Sequence, residues 1–274
     1  MDALGYLAER ARLLEPYLEA ALPTAHEEPP SLHAAMRHLL FPGGKRLRPG
    51  LCFAACEAVG GAAPSALPAA AAVELVHTYS LVHDDLPCMD DDVERRGRPT
   101  VHVVYGEAVA VLAGDALLAL AFELLARSGD AAAVAELAHA AGSRALVGGQ
   151  ALDLSFPAEA EPDVAAIEAV HRQKSAALIA AAIGLGARLG GADAALHARL
   201  VGFGFEVGLA FQIADDLLDA DHDGPCSLAR ALGGPVARAR ADALLSGALA
   251  RVADLPACAE PLRELARFAV RRDR

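Results

Sequence analysis

Apolar residues recur at three- and four-residue intervals along most of this 274-residue chain, the spacing that keeps them on one face of an α-helix. Helix-breaking residues punctuate the pattern at Pro42-Gly43-Gly44, Gly60-Gly61, Pro87, Gly97 to Pro99, Phe156-Pro157, Gly190-Gly191 and Gly224-Pro225. Between these breaks the spacing predicts helices at about 2–20, 31–40, 47–59, 67–86, 101–127, 130–150, 163–190, 193–219, 235–252 and 258–272. No segment alternates with period two for long enough to predict a sheet. An all-α, single-domain bundle of about ten helices over residues 1–274 is the expectation.

Composition sharpens this picture. The chain is 54% hydrophobic but only 4% aromatic, with no Trp. Alanine supplies most of the excess and is the best helix former, so the helices are expected to pack closely. The most apolar stretch, Val109 to Leu125, holds Asp115 and Glu123, and no membrane span is expected. The opening residues, Met1-Asp2-Ala3 through Glu9-Arg10, lack the basic start and apolar core of a secretion signal. Cys52, Cys56, Cys88, Cys226 and Cys258 are odd in number and include no CxxC pair. They read as reduced thiols of a cytoplasmic protein. A net charge of −12 argues against a nucleic-acid partner, but small anions can still be bound locally.

The acidic residues are bunched. Asp84, Asp85, Asp90, Asp91 and Asp92 fall within nine residues at the end of an apolar helix, where the helix dipole disfavours negative charge. A bound cation explains such crowding better than a solvated face. Oxygen-only ligands without a caging loop favour magnesium held together with substrate phosphates. Pro87 should end the helix and let Asp90 fold back toward Asp84. A second cluster follows in Phe211-Gln212-Ile213-Ala214-Asp215-Asp216-Leu217-Leu218-Asp219. Asp215 and Asp219, one helical turn apart, share a face. Two such clusters could hold a multi-metal diphosphate complex and make the diphosphate a leaving group.

Basic residues are grouped as well. Gly43-Gly44-Lys45-Arg46-Leu47-Arg48 sets three cations beside a glycine turn at a helix start, a candidate anion pocket. Arg95-Arg96-Gly97-Arg98 forms a second basic turn, and His171-Arg172-Gln173-Lys174-Ser175 sits within a helix. Each alone reads more readily as a solvated basic turn, and it is their pairing with metal-type carboxylates that points to phosphate. His77 lies two turns before Asp84, and Gly148-Gly149-Gln150 and Gln212 interrupt apolar helices. Core packing explains these as readily as ligand binding.

Taken in order along nearly the whole chain, several segments resemble the trans-isoprenyl diphosphate synthases, in particular bacterial short-chain farnesyl diphosphate synthases. They are GGKRLRP (Gly43 to Pro49), ELVHTYSLVHDDLPCMDDD (Glu74 to Asp92), RRGRPT (Arg95 to Thr100), GDALL (Gly114 to Leu118), GGQALDL (Gly148 to Leu154), Lys174-Ser175 and FQIADDLLD (Phe211 to Asp219). The resemblance implies a helical bundle around a deep central pocket, as a homodimer. It implies that Asp84, Asp85 and Asp90 form one aspartate motif and Asp215, Asp216 and Asp219 the other. Three Mg2+ ions between them would hold an allylic diphosphate, with Asp84, Asp85, Asp90, Asp215 and Asp219 as ligands and Arg95, Lys174, Ser175 and Gln212 assisting. Gly44, Lys45, Arg48, His77 and Arg96 resemble the isopentenyl diphosphate pocket. The implied reaction is ionisation of the allylic C–O bond, attack by the isopentenyl double bond and loss of a proton. Asp84, Asp85, Asp90, Arg95, Lys174 and Asp215 carry it by charge stabilisation, with no dedicated side-chain base. Tyr79 and Ser80, five and four residues before Asp84, resemble the position that sets chain length. An aromatic ring there implies farnesyl diphosphate, with geranylgeranyl diphosphate as the alternative.

The chain departs from the family after Asp219. Ala220 to Ala229 is shortened, and Pro225 stands where a diphosphate-binding lysine is expected, with Arg230 or Arg238 as candidate substitutes. Ser175 replaces the usual Thr. This departure supports one alternative, a non-catalytic partner subunit of an active synthase. A terpene cyclase is disfavoured, because the chain contains no Asn for the usual second metal triad and keeps the GGKRLRP segment.

Overall fold

In the computed structural model, residues 2–156, 163–218 and 226–271 are described. The helices are α1 (Ala3–Ala21), α2 (Pro30–His38), α3 (Leu47–Ala58), α4 (Leu67–Asp84), α5 (Val101–Tyr105), α6 (Glu107–Ala126), α7 (Ala131–Ala141) and α8 (Leu146–Leu154). They continue as α9 (Val164–His171), α10 (Ala177–Leu189), α11 (Ala194–Leu218), α12 (Leu228–Leu232), α13 (Gly234–Arg251) and α14 (Glu260–Arg271). The architecture is all-α, as the apolar spacing predicts. Asp2, Asp130 and Asp163 cap α1, α7 and α9 by accepting backbone N–H groups of the first turn.

The central layer is α4, α10 and α11. α10 is buried on all sides from Ala177 through Ala187, and it packs on α3, α11 and α4. Small side chains make this possible, because Ala-rich surfaces let helix axes come close. α6 covers α4, and α13 covers α11.

Five local features differ from the sequence expectation. The predicted 101–127 helix breaks at Gly106, whose φ of +84° an ordinary helix cannot hold. The predicted 130–150 helix breaks between Ala141 and Leu146 and resumes as α8. The predicted 163–190 helix is continuous but widens into a π-helical turn at Arg172–Ala176. A two-residue ribbon pairs Glu94 with Pro99 and Arg95 with Arg98. Its turn residues, Arg96 and Gly97, both have positive φ, the conformation that tight hairpins require. α12 was not anticipated either, being too short to show a period.

By length and composition, α6 and α11 each reach what a membrane-crossing helix needs, despite Asp115 and Glu123 in α6. Both pack against other helices here, and α11 carries the buried Asp216.

Candidate active site

α4 delivers the first aspartate cluster. The helix ends at Asp84, and the chain winds back through Pro87. Leu86 and Met89 amides bond to the carbonyls of His83 and Leu86, and the Asp90 amide donates to the Asp84 carbonyl at 2.9 Å. The fold-back expected from Pro87 therefore forms, with Asp84 and Asp90 adjacent in space. Burial pushes the Asp84 carboxyl up to about 7; Lys174 offsets part of this, while Asp90 and Asp85 add to it. Asp90 is raised too, first by burial, with Lys174 again the main opposing charge. The two carboxylates share the Lys174 ammonium, and Arg95 is a smaller opposing charge at both.

Asp85 is placed differently from its neighbours. It has no exposed surface, and its Oδ1 accepts from Arg95 Nε at 2.5 Å. The structure thus gives Asp85 to Arg95, which also donates to Asp92 at 2.9 Å. Successive helical residues point about 100° apart, so Asp84 and Asp85 project in different directions.

The second cluster divides in the same way. Asp215 lines the main cleft, whereas Asp216 is buried. Asp216 accepts from Gln212 Nε2 at 3.1 Å and from the Leu228 amide at 2.7 Å. Asp216 is therefore tied to the start of α12. Asp219, expected as a metal ligand, lies outside the described residues, as does Pro225.

The main cleft has a volume of about 860 Å³. Gly44, Lys45, Arg48, His77, Arg95, Arg96, Gln212 and Asp215 all line it, so eight of the predicted site residues converge in one space. Lys45 lies over the Phe268 ring at 5.8 Å. Arg46 turns inward instead, with Nε on Glu15 at 2.8 Å, Nη1 on Glu74 at 2.6 Å and Nη2 on the Leu40 carbonyl at 2.6 Å. It braces the glycine turn that presents Lys45. Arg48 approaches His77 Nε2 at 3.2 Å. Burial first, then the guanidiniums of Arg48, Arg96, Arg95 and Arg46, hold His77 well below its usual pKa. Its neutral ring can accept from Arg48.

Lys174 and Ser175 sit on the π-helical turn, a geometry that recurs at functional sites. Two glycines fix this turn. A Cβ on Gly149 would lie 2.2 Å from the Lys174 amide nitrogen, and one on Gly208 would lie 2.6 Å from Ala176 Cα. The turn is thus clasped between α8 and α11. Lys174 Nζ donates to Asp153 at 2.5 Å, and Ser175 Oγ donates to Gln212 Oε1 at 2.6 Å.

A smaller cavity of about 130 Å³ adjoins these residues, lined among others by Ser80, Asp84, Leu146, Gln150, Lys174 and Leu178. Ser80 therefore reaches the cavity. Tyr79 does not line it: its ring packs edge-on against His83 at 5.8 Å, and its hydroxyl is buried with no hydrogen-bond partner among the described residues.

Sequence reasoning missed Asp153, the partner of Lys174, although GGQALDL contained it. Cys226, read from the sequence only as a reduced thiol, also lies near Asp153. Burial first, then Asp153, raises that thiol to about 12. The candidate replacements for the missing lysine do not line the cleft: Arg230 is exposed on α12, and Arg238 donates to the Val270 carbonyl.

The donor set suits magnesium: oxygen ligands, crowded, with pKa values raised by burial and neighbouring charge. Among the described residues, no three Asp, Glu, His or Cys side chains form a ready-made cage.

The polyprenyl synthetase family model matches residues 29–234. The chain is 49% identical to heterodimeric geranylgeranyl pyrophosphate synthase large subunit 1, chloroplastic, of Arabidopsis thaliana, over 80% of this chain and 61% of that one. It is 47% identical to the chloroplastic geranylgeranyl pyrophosphate synthase of Capsicum annuum, over 78% of this chain and 59% of the relative. The match thus spans about three fifths of these plant proteins. A crystal structure of an FPP/GFPP synthase from Zymomonas mobilis superposes with a TM-score of 0.92 at 38% identity, covering 98% of this chain and 99% of that one. With the family model matched over most of its length and its fold shared with such an enzyme, the chain belongs to the polyprenyl synthetase family.

Proposed function

We propose that this protein is a short-chain trans-prenyltransferase that joins isopentenyl diphosphate to an allylic diphosphate, acting as one polyprenyl synthase domain over residues 1–274. The observation that carries the reading is the main cleft. It brings Lys45, Arg48, His77, Arg95 and Arg96 into one space with Asp215 and Gln212, beside Asp84 and Lys174. Cations and metal-type carboxylates meeting in one cavity suit two diphosphates, one free and one held through metal.

Mg2+, three ions by family resemblance, would be held by Asp84, Asp90 and Asp215, with Asp219 completing the set, and would neutralise the departing diphosphate. Arg95, Lys174, Ser175 and Gln212 bind the allylic diphosphate. Asp85 acts on Arg95 and Asp216 on the chain leading into α12, each as a positioning residue. Lys45, Arg48, Arg96 and the glycine turn at Gly44 hold isopentenyl diphosphate, with neutral His77 orienting Arg48. The allylic C–O bond breaks and its electron pair leaves with the diphosphate. The isopentenyl double bond forms the new C–C bond, and the proton released goes to diphosphate. Apolar helix surfaces exclude water from the cation.

The twenty-carbon product, geranylgeranyl diphosphate, takes precedence over the fifteen-carbon one. The curated relatives named above are geranylgeranyl synthases, and the small Ser80, not Tyr79, lines the cavity near Asp84. Farnesyl diphosphate is the second reading, favoured by the aromatic Tyr79 and by the name of the Zymomonas mobilis structure. We further propose a homodimer in the cytoplasm. Val111 and Leu112 of α6 and Val103 and Val104 of α5 are exposed apolar residues that a partner would cover. The Arabidopsis relative is named as heterodimeric, and both plant relatives as chloroplastic.

Purified protein incubated with isopentenyl diphosphate and dimethylallyl or geranyl diphosphate, with and without Mg2+, tests this by product mass. Metal-dependent twenty-carbon diphosphate is expected. No product from the protein alone would sink the reading and favour a non-catalytic partner subunit.

A further inference from the structure

We propose that Gln150 is an additional catalytic residue, whose neutral amide stabilises the allylic cation as the C–O bond breaks. This rests on the prenyl-transfer reading above.

Several side chains around Gln150 are already engaged with one another. Lys174 is on Asp153, Ser175 on Gln212, Ser80 on the His77 carbonyl, and Arg48 against His77. Gln150 is only 6% exposed, yet neither its Oε1 nor its Nε2 has a hydrogen-bond partner among the described residues. Buried amides are almost always paired, and an orphan of this kind is best explained by a partner that arrives with a ligand.

Its position suggests what that partner is. Gln150 lines the small cavity, whose wall is partly charged and partly apolar. Asp84, Lys174 and Ser175 form its charged and polar part, and Leu81, Leu146 and Leu178 its apolar part. A substrate with a diphosphate at one end and a hydrocarbon chain at the other would span both parts, with its C1 between them and within the space that Gln150 lines. The residue is also held firmly: Gly149, its chain neighbour, lets α8 press on the Lys174 backbone.

A neutral amide suits this place. When the C–O bond breaks, both bonding electrons leave with the diphosphate and the allyl group becomes positive. The amide oxygen dipole lowers the energy of that charge, and no bond to Gln150 forms. Because the dipole acts on charge that develops during the reaction, it raises kcat and leaves ground-state binding unchanged.

The test compares wild type, Gln150→Met and Gln150→Glu. Wild-type turnover is measured first. Two binding probes follow: a geranyl thiolodiphosphate, which does not ionise, and an ammonium diphosphate analogue that carries positive charge where the allylic cation would. Gln150→Met should lower kcat by about tenfold or more at unchanged KM. It should weaken the ammonium analogue by a similar factor while leaving the thiolo analogue within about twofold. Gln150→Glu, which keeps an oxygen, should still bind the ammonium analogue. Equal weakening of both analogues in both variants would mean a structural amide and overturn the proposal, as would a Gln150→Met enzyme with wild-type kcat. Absence of turnover by wild type would overturn the prenyl-transfer reading, and this proposal with it.

Discussion

Arg95 donates from Nε to Oδ1 of Asp85 at 2.5 Å, and Asp85 is wholly buried beneath it. The second aspartate of the first cluster thus serves an arginine, while its neighbour Asp84 lines the cavity. The two should therefore fail differently when altered. Asp85→Asn removes a charge-assisted bond of about 1.5–3 kcal/mol. That predicts an allylic diphosphate KM raised by roughly 10- to 100-fold with little change in the Mg2+ concentration for half-maximal rate. Asp84→Asn should instead raise the Mg2+ requirement. Steady-state kinetics over a magnesium series separate the two, and a raised Mg2+ requirement in Asp85→Asn would show Asp85 to be a ligand.

The difference between these adjacent aspartates shows what the sequence could and could not convey. Composition and spacing were enough to locate the cluster, its helix and the fold-back at Pro87, because all of these are local. Which of Asp84 and Asp85 meets the cleft depends on the rotation of α4 against α6 and α3, and that is set by packing. Lys174 and Asp153 are 21 residues apart and meet only because Gly149 admits α8 to the π-helical turn. A π-helical turn has no signature in apolar spacing. The Arg46 brace was hidden for a related reason: three adjacent cations look alike until one of them finds Glu15 and Glu74. The breaks at Gly106 and at Gly142-Ser143 fall on residues of poor helix propensity, but the apolar spacing runs on across them and so conceals them.

Ser80 and Tyr79 give opposite readings of product length. If the cavity near Asp84 sets the length, a bulky ring at Ser80 blocks it. Ser80→Phe should then shorten the main product by at least one five-carbon unit, read by mass. The aromatic-plug expectation predicts that Tyr79→Ala lengthens the product. With Tyr79 packed on His83 and outside the cavity lining, Tyr79→Ala should leave the product unchanged and lower stability by about 3–5 kcal/mol, as for other buried aromatic truncations. A longer product from Tyr79→Ala would restore the plug and the fifteen-carbon reading.

Gly149 tests the clasp on the π-helical turn. An added methyl would stand 2.2 Å from a backbone nitrogen, which cannot swing aside as a side-chain tip would. Overpacking of this kind costs about 1–3 kcal/mol. For a domain of this size that corresponds to a Tm lower by roughly 2–12 °C, at about 2–4 °C per kcal/mol. Because Lys174 and Ser175 ride on the displaced turn, Gly149→Ala should also lose more activity than stability alone explains, measured as kcat well below its Tm. A variant with reduced Tm but wild-type kcat would separate the clasp from the site.

His77 offers a pH readout that needs no substrate. Its folded pKa lies well below the ordinary value, first through burial and then through four neighbouring arginines, whereas in the unfolded chain it titrates near ~6.5. Below that pH the unfolded chain takes up a proton that the folded one refuses. Stability contributed by neutral His77 is therefore fully present above about pH 6.5, and it declines as pH falls below that value. The slope approaches about 1.4 kcal/mol per pH unit until the folded pKa is reached. His77→Gln keeps an acceptor for Arg48 and cannot titrate. Its Tm should fall less steeply than that of wild type between pH 6.5 and 5 in ligand-free protein. Parallel Tm curves for the two proteins would mean that His77 is already protonated in the fold, and the neutral acceptor role assigned to it toward Arg48 would have to be withdrawn.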